Sequence, residues 1–161
     1  MSIKRQKQEY GFTLIEALIT LLVFSVGLLG IAALQLSAMR GAANAYDNTR
    51  AVALSYDIID RMRANPDALL SGEYDDVDTT AAPTAPDCTA GCAANELAKL
   101  NISEWAAAVA QLPSGQGQIK GDNGSFVVTV LWDDAHTGAT GTDCNPTSSS
   151  SLTCFRLEVD I

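Results

Sequence analysis

Residues 17–39 read ALITLLVFSVGLLGIAALQLSAM, and none of them is charged. As an α-helix these 23 residues extend about 35 Å, which is enough to cross the hydrocarbon core of a bilayer. The alternative is a buried helix of a soluble protein, but such a helix usually keeps one polar face. The polar residues here, Thr20, Ser25, Gln35 and Ser37, form no such face. We therefore expect this stretch to span a membrane.

The flanking residues predict how the segment is oriented. Lys4, Arg5 and Lys7 precede it, and positive charge beside a membrane helix favours the cytoplasmic side. Everything after Met39 then emerges on the other side, which is oxidising in bacteria. A cleaved secretory signal is a further alternative, since Ala43-Asn44-Ala45 is a small-x-small site. The apolar region of such a signal is only about 7 to 15 residues long, however, which is shorter than this stretch.

Glu16 is an anomaly at the start of the apolar stretch. An ionised carboxylate at the centre of a membrane helix costs on the order of 2.5 to 3.5 kcal/mol, and less near the interface. A cut between Gly11 and Phe12 would create a terminal ammonium about one helical turn from Glu16, close enough for the two charges to pair within one chain or between neighbours. Cleavage at that bond would therefore provide a partner for the Glu16 carboxylate and explain why a charge is found there.

The run Gly11-Phe12-Thr13-Leu14-Ile15-Glu16, behind a short basic leader and ahead of an apolar helix, resembles the prepilin signal of type IV pilins. The resemblance implies a leader peptide over residues 1–11, removed by a prepilin peptidase that cuts after Gly11. It also implies N-methylation of the new terminus at Phe12 and a role for Glu16 in assembly. Type II secretion pseudopilins share this signal, so the motif leaves both kinds of machine open.

Helical periodicity resumes beyond the membrane segment, with apolar residues on one stripe from Ala51 to Met62. Asp57 and Arg61, on the opposite side, form an ordinary surface pair. Asn65-Pro66 ends the pattern, because a residue before proline is steered away from helical angles. We predict one helix from about Phe12 to Ala64, apolar in its first half and amphipathic in its second.

The rest of the chain predicts an α+β, pilin-like fold. The segment from Ser71 to Asp87 is expected to be a connecting loop, because its acidic run lacks the ligand spacing and glycine of an EF-hand. A small antiparallel sheet should bury its apolar face, with Trp105 and Trp132 in the core, on the amphipathic half of the long helix. The expected elements are a second helix over Asn95–Leu112, a strand over Gly117–Lys120, a hairpin turn at Asp122-Asn123-Gly124, and strands over Ser125–Trp132 and Cys154–Ile161.

The four cysteines favour disulfides, because the predicted compartment is oxidising. Pairing of sequence neighbours is geometrically easiest, so we expect Cys88 with Cys92 and Cys144 with Cys154, although all three connectivities stay open. A zinc site is the alternative, but only the first pair has its usual spacing. We expect no metal and no cofactor.

The sequence offers no catalytic constellation. His136 is the single histidine and has no nucleophile or metal ligand at a suitable spacing, so we expect it at the surface. The formal net charge is −9, and it becomes −11 without the leader, because Lys4, Arg5, Lys7 and Glu9 leave with it. So acidic a chain argues against direct binding of nucleic acid. We expect a protein that is not an enzyme.

A second set of residues narrows the resemblance to the PilV-type minor pilins, also called type IV pilus modification proteins. The residues that carry it are Arg61-Met62-Arg63-Ala64-Asn65-Pro66, Glu104-Trp105, Leu112-Pro113-Ser114-Gly115, Val128-Thr129-Val130-Leu131-Trp132 and Cys154-Phe155-Arg156. The resemblance implies a low-abundance subunit that helps other minor pilins to initiate assembly and supports twitching motility, attachment or DNA uptake.

In this interpretation residues 12–40 are the transmembrane and assembly helix, and residues 41–161 are the periplasmic globular domain. The implied partners are minor and major pilins, which pack through their N-terminal helices, the prepilin peptidase, and the assembly machinery of the inner membrane. The processed subunit then enters the surface pilus. Two alternatives stay open. A type II secretion pseudopilin usually lacks the cysteine-closed loop and often binds calcium, and a membrane-tethered periplasmic domain would never be cut at Gly11.

Overall fold

A computed structural model describes residues 11–122, 124–144 and 151–161. Its helices are α1 (Leu14–Arg63), α2 (Pro66–Leu70) and α3 (Ala94–Val109), with a 3-10 turn at Thr79–Ala81. Its strands are β1 (Asp76–Asp78), β2 (Gln116–Asp122), β3 (Ser125–Trp132) and β4 (Thr153–Asp160). Internal contacts divide the described residues into two units, one up to residue 42 and one from residue 43 onward. The α+β expectation is confirmed.

Helix α1 matches the long helix predicted from the sequence. It begins two residues after Phe12 and ends at Arg63, just before Asn65 and Pro66. From residue 43 onward its buried side chains recur at helical spacing and face the rest of the second unit. They are Asp47, Ala51, Ser55, Ile58, Ile59 and Met62.

The four strands form one antiparallel sheet in the order β1-β2-β3-β4. Strands β2 and β3 form the predicted hairpin, because Asp122 pairs with Ser125 and Gly124 has the positive φ of 92° that such a turn requires. Asn123, the remaining residue of the predicted turn, lies outside the described residues. Strand β3 has the predicted bounds, and β2 extends the predicted strand by a residue at one end and two at the other.

The main core lies between α1, α3 and one face of the sheet. Trp105 of α3 and Trp132 of β3 are both fully buried in it, as predicted. A smaller cluster of Leu131, Ala139 and Leu152 forms separately, and the Cys144–Cys154 disulfide packs against it. Since Leu131 alternates with the core-facing Val130 and Trp132, this second cluster covers the opposite face of the sheet.

Two predictions about elements were partly wrong. The segment from Ser71 to Asp87 is not only a loop, since it contains β1 and the 3-10 turn, and Asp76 of β1 pairs with Lys120 of β2. The second helix ends at Val109, three residues before Leu112, because the chain there tightens into turns. Leu112 nevertheless stays buried in the core.

Candidate functional site

The predicted processing site lies immediately ahead of α1. Gly11 and Phe12 precede the helix, and Phe12 is 74% exposed. Thr13 caps the first turn, since its carbonyl accepts the amide of Ala17 at 3.2 Å and its hydroxyl lies 3.4 Å from the amide of Glu16. Glu16 therefore sits in the first turn, where the helix dipole favours a negative charge.

The other polar groups near the start of α1 are satisfied within the helix. The hydroxyl of Thr20 donates to the carbonyls of Glu16 and Ala17 at 3.0 and 2.9 Å, and that of Ser25 donates to the carbonyl of Leu22 at 2.8 Å. These hydroxyls therefore add little to the cost of an apolar environment. The Glu16 carboxylate, by contrast, has no partner among the residues that the structure describes.

The first part of α1 is exposed along its whole apolar length. In the described ranges, α1 alone has the length and composition to cross a membrane, with a window of mean hydropathy 2.6 and no burial within the chain. No side chain in this stretch beyond Glu16 is charged until Arg40. An uncovered apolar surface of this size requires lipid or other helices around it.

Two motifs that are far apart in the sequence meet in the second unit. Arg61 of α1 donates to Glu104 of α3 at 2.5 Å and to Asp57, one turn earlier, at 3.0 Å. The hydrogen bond to Glu104, opposed by partial burial, raises the pKa of Arg61 above its ordinary value. Next to Glu104, the Trp105 indole N–H donates to the carbonyl of Leu54 at 2.9 Å. The sequence predicted the Asp57 pair but not the link to α3.

Asn65 supplies a further link between these elements. Its side chain is almost fully buried, and its amide donates to the carbonyl of Ala94, at the start of α3, at 2.8 Å. The backbone amide of Ala93 donates to Glu96 at 3.1 Å, which caps the same helix end. The end of α1 thereby fixes the start of α3.

The four cysteines lie in the two predicted pairs. Cys88 and Cys92 are bonded with their Cα atoms 5.1 Å apart, and Cys144 and Cys154 are bonded with Cα atoms 5.6 Å apart. The second bond ties the first residues of β4 to the segment that follows β3. Among the described residues no group of His, Cys, Asp or Glu side chains is arranged to hold a metal ion.

The segment after β3 contains polar contacts that the sequence analysis missed. Asp133 is nearly buried and accepts hydrogen bonds from the amides of Gly138 and Ala139 at 2.6 and 3.3 Å and from the Thr137 hydroxyl at 3.3 Å. Burial raises the pKa of Asp133, but these hydrogen bonds outweigh burial and hold it below its ordinary value. The sequence Asp133-Asp134-Ala135-His136 is typical of a turn, and it is the signal from which these contacts could have been predicted. His136 is exposed, as predicted.

Asp134 connects this segment to α1. Its carboxylate accepts a hydrogen bond from the side-chain amide of Asn44 at 3.1 Å, and the indole N–H of Trp132 lies 3.4 Å from its other oxygen. The polar residue that follows β3 therefore positions both a core tryptophan and the long helix.

Comparison with known families matches two successive parts of the chain. Residues 6–32 match the prokaryotic N-terminal methylation motif, and residues 33–103 match the family described as type IV pilin Tt1218. No curated protein and no solved structure matches the chain significantly. The two family matches, with the exposed apolar helix and the α+β unit after it, support a type IV pilin, which points to a structural subunit rather than an enzyme.

Proposed function

We propose that this pilin is a minor subunit of a bacterial type IV pilus that helps other minor pilins to initiate assembly. In this proposal a prepilin peptidase cuts between Gly11 and Phe12, and Phe12 is N-methylated. Residues 12–40 then anchor the chain in the inner membrane, with residues 41–161 in the periplasm, until the subunit enters the filament. Twitching motility, attachment or DNA uptake depends on the pili that result.

The observation that carries the proposal is the isolated carboxylate of Glu16. It lies on an exposed apolar helix, and no described residue offers it a partner. A processed neighbouring subunit would supply an ammonium at its own Phe12 and apolar surface around it, so the charge would be paired when helices pack together. The PilV-type motifs support the minor-pilin assignment, since Arg61 and Glu104, which belong to two of them, are in contact.

Processing is tested by N-terminal sequencing and intact mass of protein extracted from membranes. The chain should begin at Phe12 and carry one added methyl group. A chain that begins at Met1 would support the tethered, unprocessed domain instead. A chain that begins near Tyr46 would support a cleaved secretory signal.

Assembly is tested with Glu16→Ala. The variant should insert, fold and be processed normally, because removal of the charge removes its burial cost. It should then be lost from sheared surface pili. Asp60→Ala is the matched control, since it removes an acid from the exposed side of the same helix, and it should enter pili normally. If Glu16→Ala enters pili as well as the parent does, the assembly role is wrong. If it is missing from the membrane, Glu16 acts in insertion or stability.

The minor role is tested by abundance and by deletion. The chain should be a small fraction of the protein in sheared pili, and its deletion should lower the number of pili without removing the major subunit from the cell. A chain that makes up most of the filament would contradict the minor role. A deletion that leaves pili intact but blocks protein secretion would support the pseudopilin alternative.

A further inference from the structure

Strand β4 forms one edge of the sheet, and it is long. All eight of its residues, Thr153–Asp160, pair in continuous register with β3, without a bulge. The other edge, β1, has only three residues, Asp76–Asp78. A free strand edge presents a row of N–H and C=O groups that can bind a further strand. The β4 edge therefore offers more of these backbone groups than the β1 edge does.

The register identifies the backbone groups of β4 that point away from the sheet. The amide of Ile161 donates to the carbonyl of Gly124 at 2.8 Å, so these two residues form a hydrogen-bonded pair. Such pairs alternate along an antiparallel ladder. The outward groups therefore belong to Cys154, Arg156, Glu158 and Asp160. Within the described part of the chain, these four N–H and four C=O groups have no backbone partner.

The side chains of β4 show how an added strand would be recognised. On the core-facing side Phe155, Leu157 and Val159 pack against the main core but stay only half-buried, so apolar surface is left open at the edge. On the opposite side Arg156 and Glu158 are exposed, and no described residue forms an ion pair with either.

Strand β4 lacks most of the usual protections of a sheet edge. Natural edges are commonly shortened, interrupted by proline or a bulge, or given charged side chains. Strand β4 is neither short nor interrupted, and its charged side chains, Arg156, Glu158 and Asp160, are of both signs and lie on its exposed side. They therefore select a complementary partner strand, whereas β1 has only three residues and two of them are acidic.

We propose that β4 binds an added β-strand from a different pilin subunit. That strand is apolar on its core-facing side and carries an acidic residue opposite Arg156 and a basic residue opposite Glu158. It satisfies the outward backbone groups and covers the half-buried apolar row. The inference rests on the proposed function, because it requires neighbouring pilins.

A second copy of this chain is a poorer occupant at either of its edges. Strand β1 of a second copy is too short, and both of its outward side chains, Asp76 and Asp78, are acidic. Strand β4 of a second copy can place Arg156 opposite Glu158. That antiparallel pairing, however, relates the two copies by a two-fold axis perpendicular to the sheet. The strands of the second copy, and the α1 segment packed on them, then run in the opposite direction to those of the first. Subunits that share one membrane emerge from it in the same direction, which favours a different subunit.

The test places a photo-crosslinking amino acid at Asp160 in the full chain, in cells that assemble pili. The same amino acid at Asp76, on the other edge, is the matched control. The Asp160 site should give a crosslinked product with a second protein, and mass spectrometry should identify that protein as a chain with its own pilin methylation motif. The Asp76 site should give no such product.

Proline at position 158 tests whether the contact is strand addition. The amide of Glu158 points outward, so Glu158→Pro removes a donor and obstructs the edge without removing a hydrogen bond to β3. The crosslinked product should fall about tenfold or more, whereas with Glu158→Ala, which removes the same charge, it should stay within about twofold. Formation of the Cys144–Cys154 disulfide reports that each variant is folded. Arg156→Glu, which leaves the backbone unchanged, should also weaken the product.

The outcomes separate this inference from the proposed function. Two crosslinked copies of this chain, equal products from Asp160 and Asp76, or a product that Glu158→Pro and Arg156→Glu leave unchanged would each overturn strand addition by another subunit. If the chain starts at Phe12 and is recovered in pili but gives no product from Asp160, this inference fails and the proposed function stands. If the parent chain is neither processed nor recovered in pili, both are overturned.

Discussion

Gly117 is a position where the addition of one methyl group should destabilise the fold, chiefly through contact with one aromatic side chain. A Cβ atom at Gly117 would lie 2.5 and 2.8 Å from two ring carbons of Trp105 and 3.0 Å from the methyl group of Thr79. Unbonded carbon atoms normally rest about 3.5 to 4.0 Å apart, so the ring would have to move by about 1 Å. Trp105 is fully buried, and its indole N–H is hydrogen-bonded to the carbonyl of Leu54 on α1, so the ring has no free space to move into.

The magnitude follows from two opposed effects. Overpacking of a filled core typically costs about 1 to 3 kcal/mol. Replacement of glycine by alanine within a strand returns about 0.5 to 1 kcal/mol, because the unfolded chain becomes less flexible. The expected result for Gly117→Ala is a loss of about 1 kcal/mol in the free energy of unfolding, within a range of about 0 to 2.5 kcal/mol.

A double-mutant cycle with Trp105→Phe isolates the contact. Phenylalanine lacks the outer ring carbons that a Cβ at Gly117 would meet, so in that background Gly117→Ala should be neutral or stabilising. The expected coupling is about 1 to 3 kcal/mol. Urea unfolding of the full chain in detergent, followed by tryptophan fluorescence, measures all four proteins, because Trp132 is kept in each of them. Gly41→Ala is the control, since a Cβ there meets nothing within 4 Å, and it should not lower the midpoint. If Gly117→Ala lowers the free energy of unfolding equally in the parent and in the Trp105→Phe background, the steric explanation is refuted.

Three further predictions concern the second unit. Asp133→Asn should be less stable than the parent at neutral pH. The pKa of Asp133 is lower in the folded state than in the unfolded state, so its ionised carboxylate stabilises the fold at every pH above the unfolded pKa of about 3.9. This stabilisation is lost as the pH falls through the folded pKa. The difference between the urea midpoints of parent and variant should therefore narrow below about pH 4. Arg61→Ala should cost no more than about 1 kcal/mol in urea unfolding, because its ion pairs are partly exposed. A larger loss would show that the contact with Glu104 organises α3. Non-reducing peptide mapping should recover Cys88 with Cys92 and Cys144 with Cys154, and joint replacement of the second pair by serine should cost about 2 to 4 kcal/mol. Free thiols or stoichiometric zinc would contradict the pairing.

The elements that the sequence predicted well are those whose signals are local. Helix α1 ends where Asn65-Pro66 interrupts helical spacing, and β3 has the predicted bounds because its apolar alternation is continuous. Strand β1 escaped prediction because three residues carry too little pattern, and their extended form depends on pairing with residues of β2 that lie 40 to 44 positions further along the chain. The start of α2 at Pro66 had a local signal, since proline favours the first turn of a helix, but this proline was interpreted only as an end.

The candidate site divides in the same way. The run from Gly11 to Glu16 is recognisable because its chemistry is contiguous. The contacts of Arg61 with Glu104 and of Asn44 with Asp134 join residues 43 and 90 positions apart, and no spacing rule anticipates them. The apolar side chains of β4, Phe155, Leu157 and Val159, were predicted to be buried but are only half-buried. Alternation of apolar and polar residues indicates which side of a strand is apolar, but not whether the strand lies at the edge of a sheet.

The polar contacts along the second half of α1 determine how this unit would resist tension. They join Asn44 to Asp134, Arg50 to Gln111, the Leu54 carbonyl to Trp105, and Arg61 to Glu104. The four points spread over about 26 Å of the helix axis. A pull along that axis loads them side by side, in shear, so they must yield together, whereas a pull across the axis would peel them one after another. The unit should therefore resist force best when it is pulled along the helix axis.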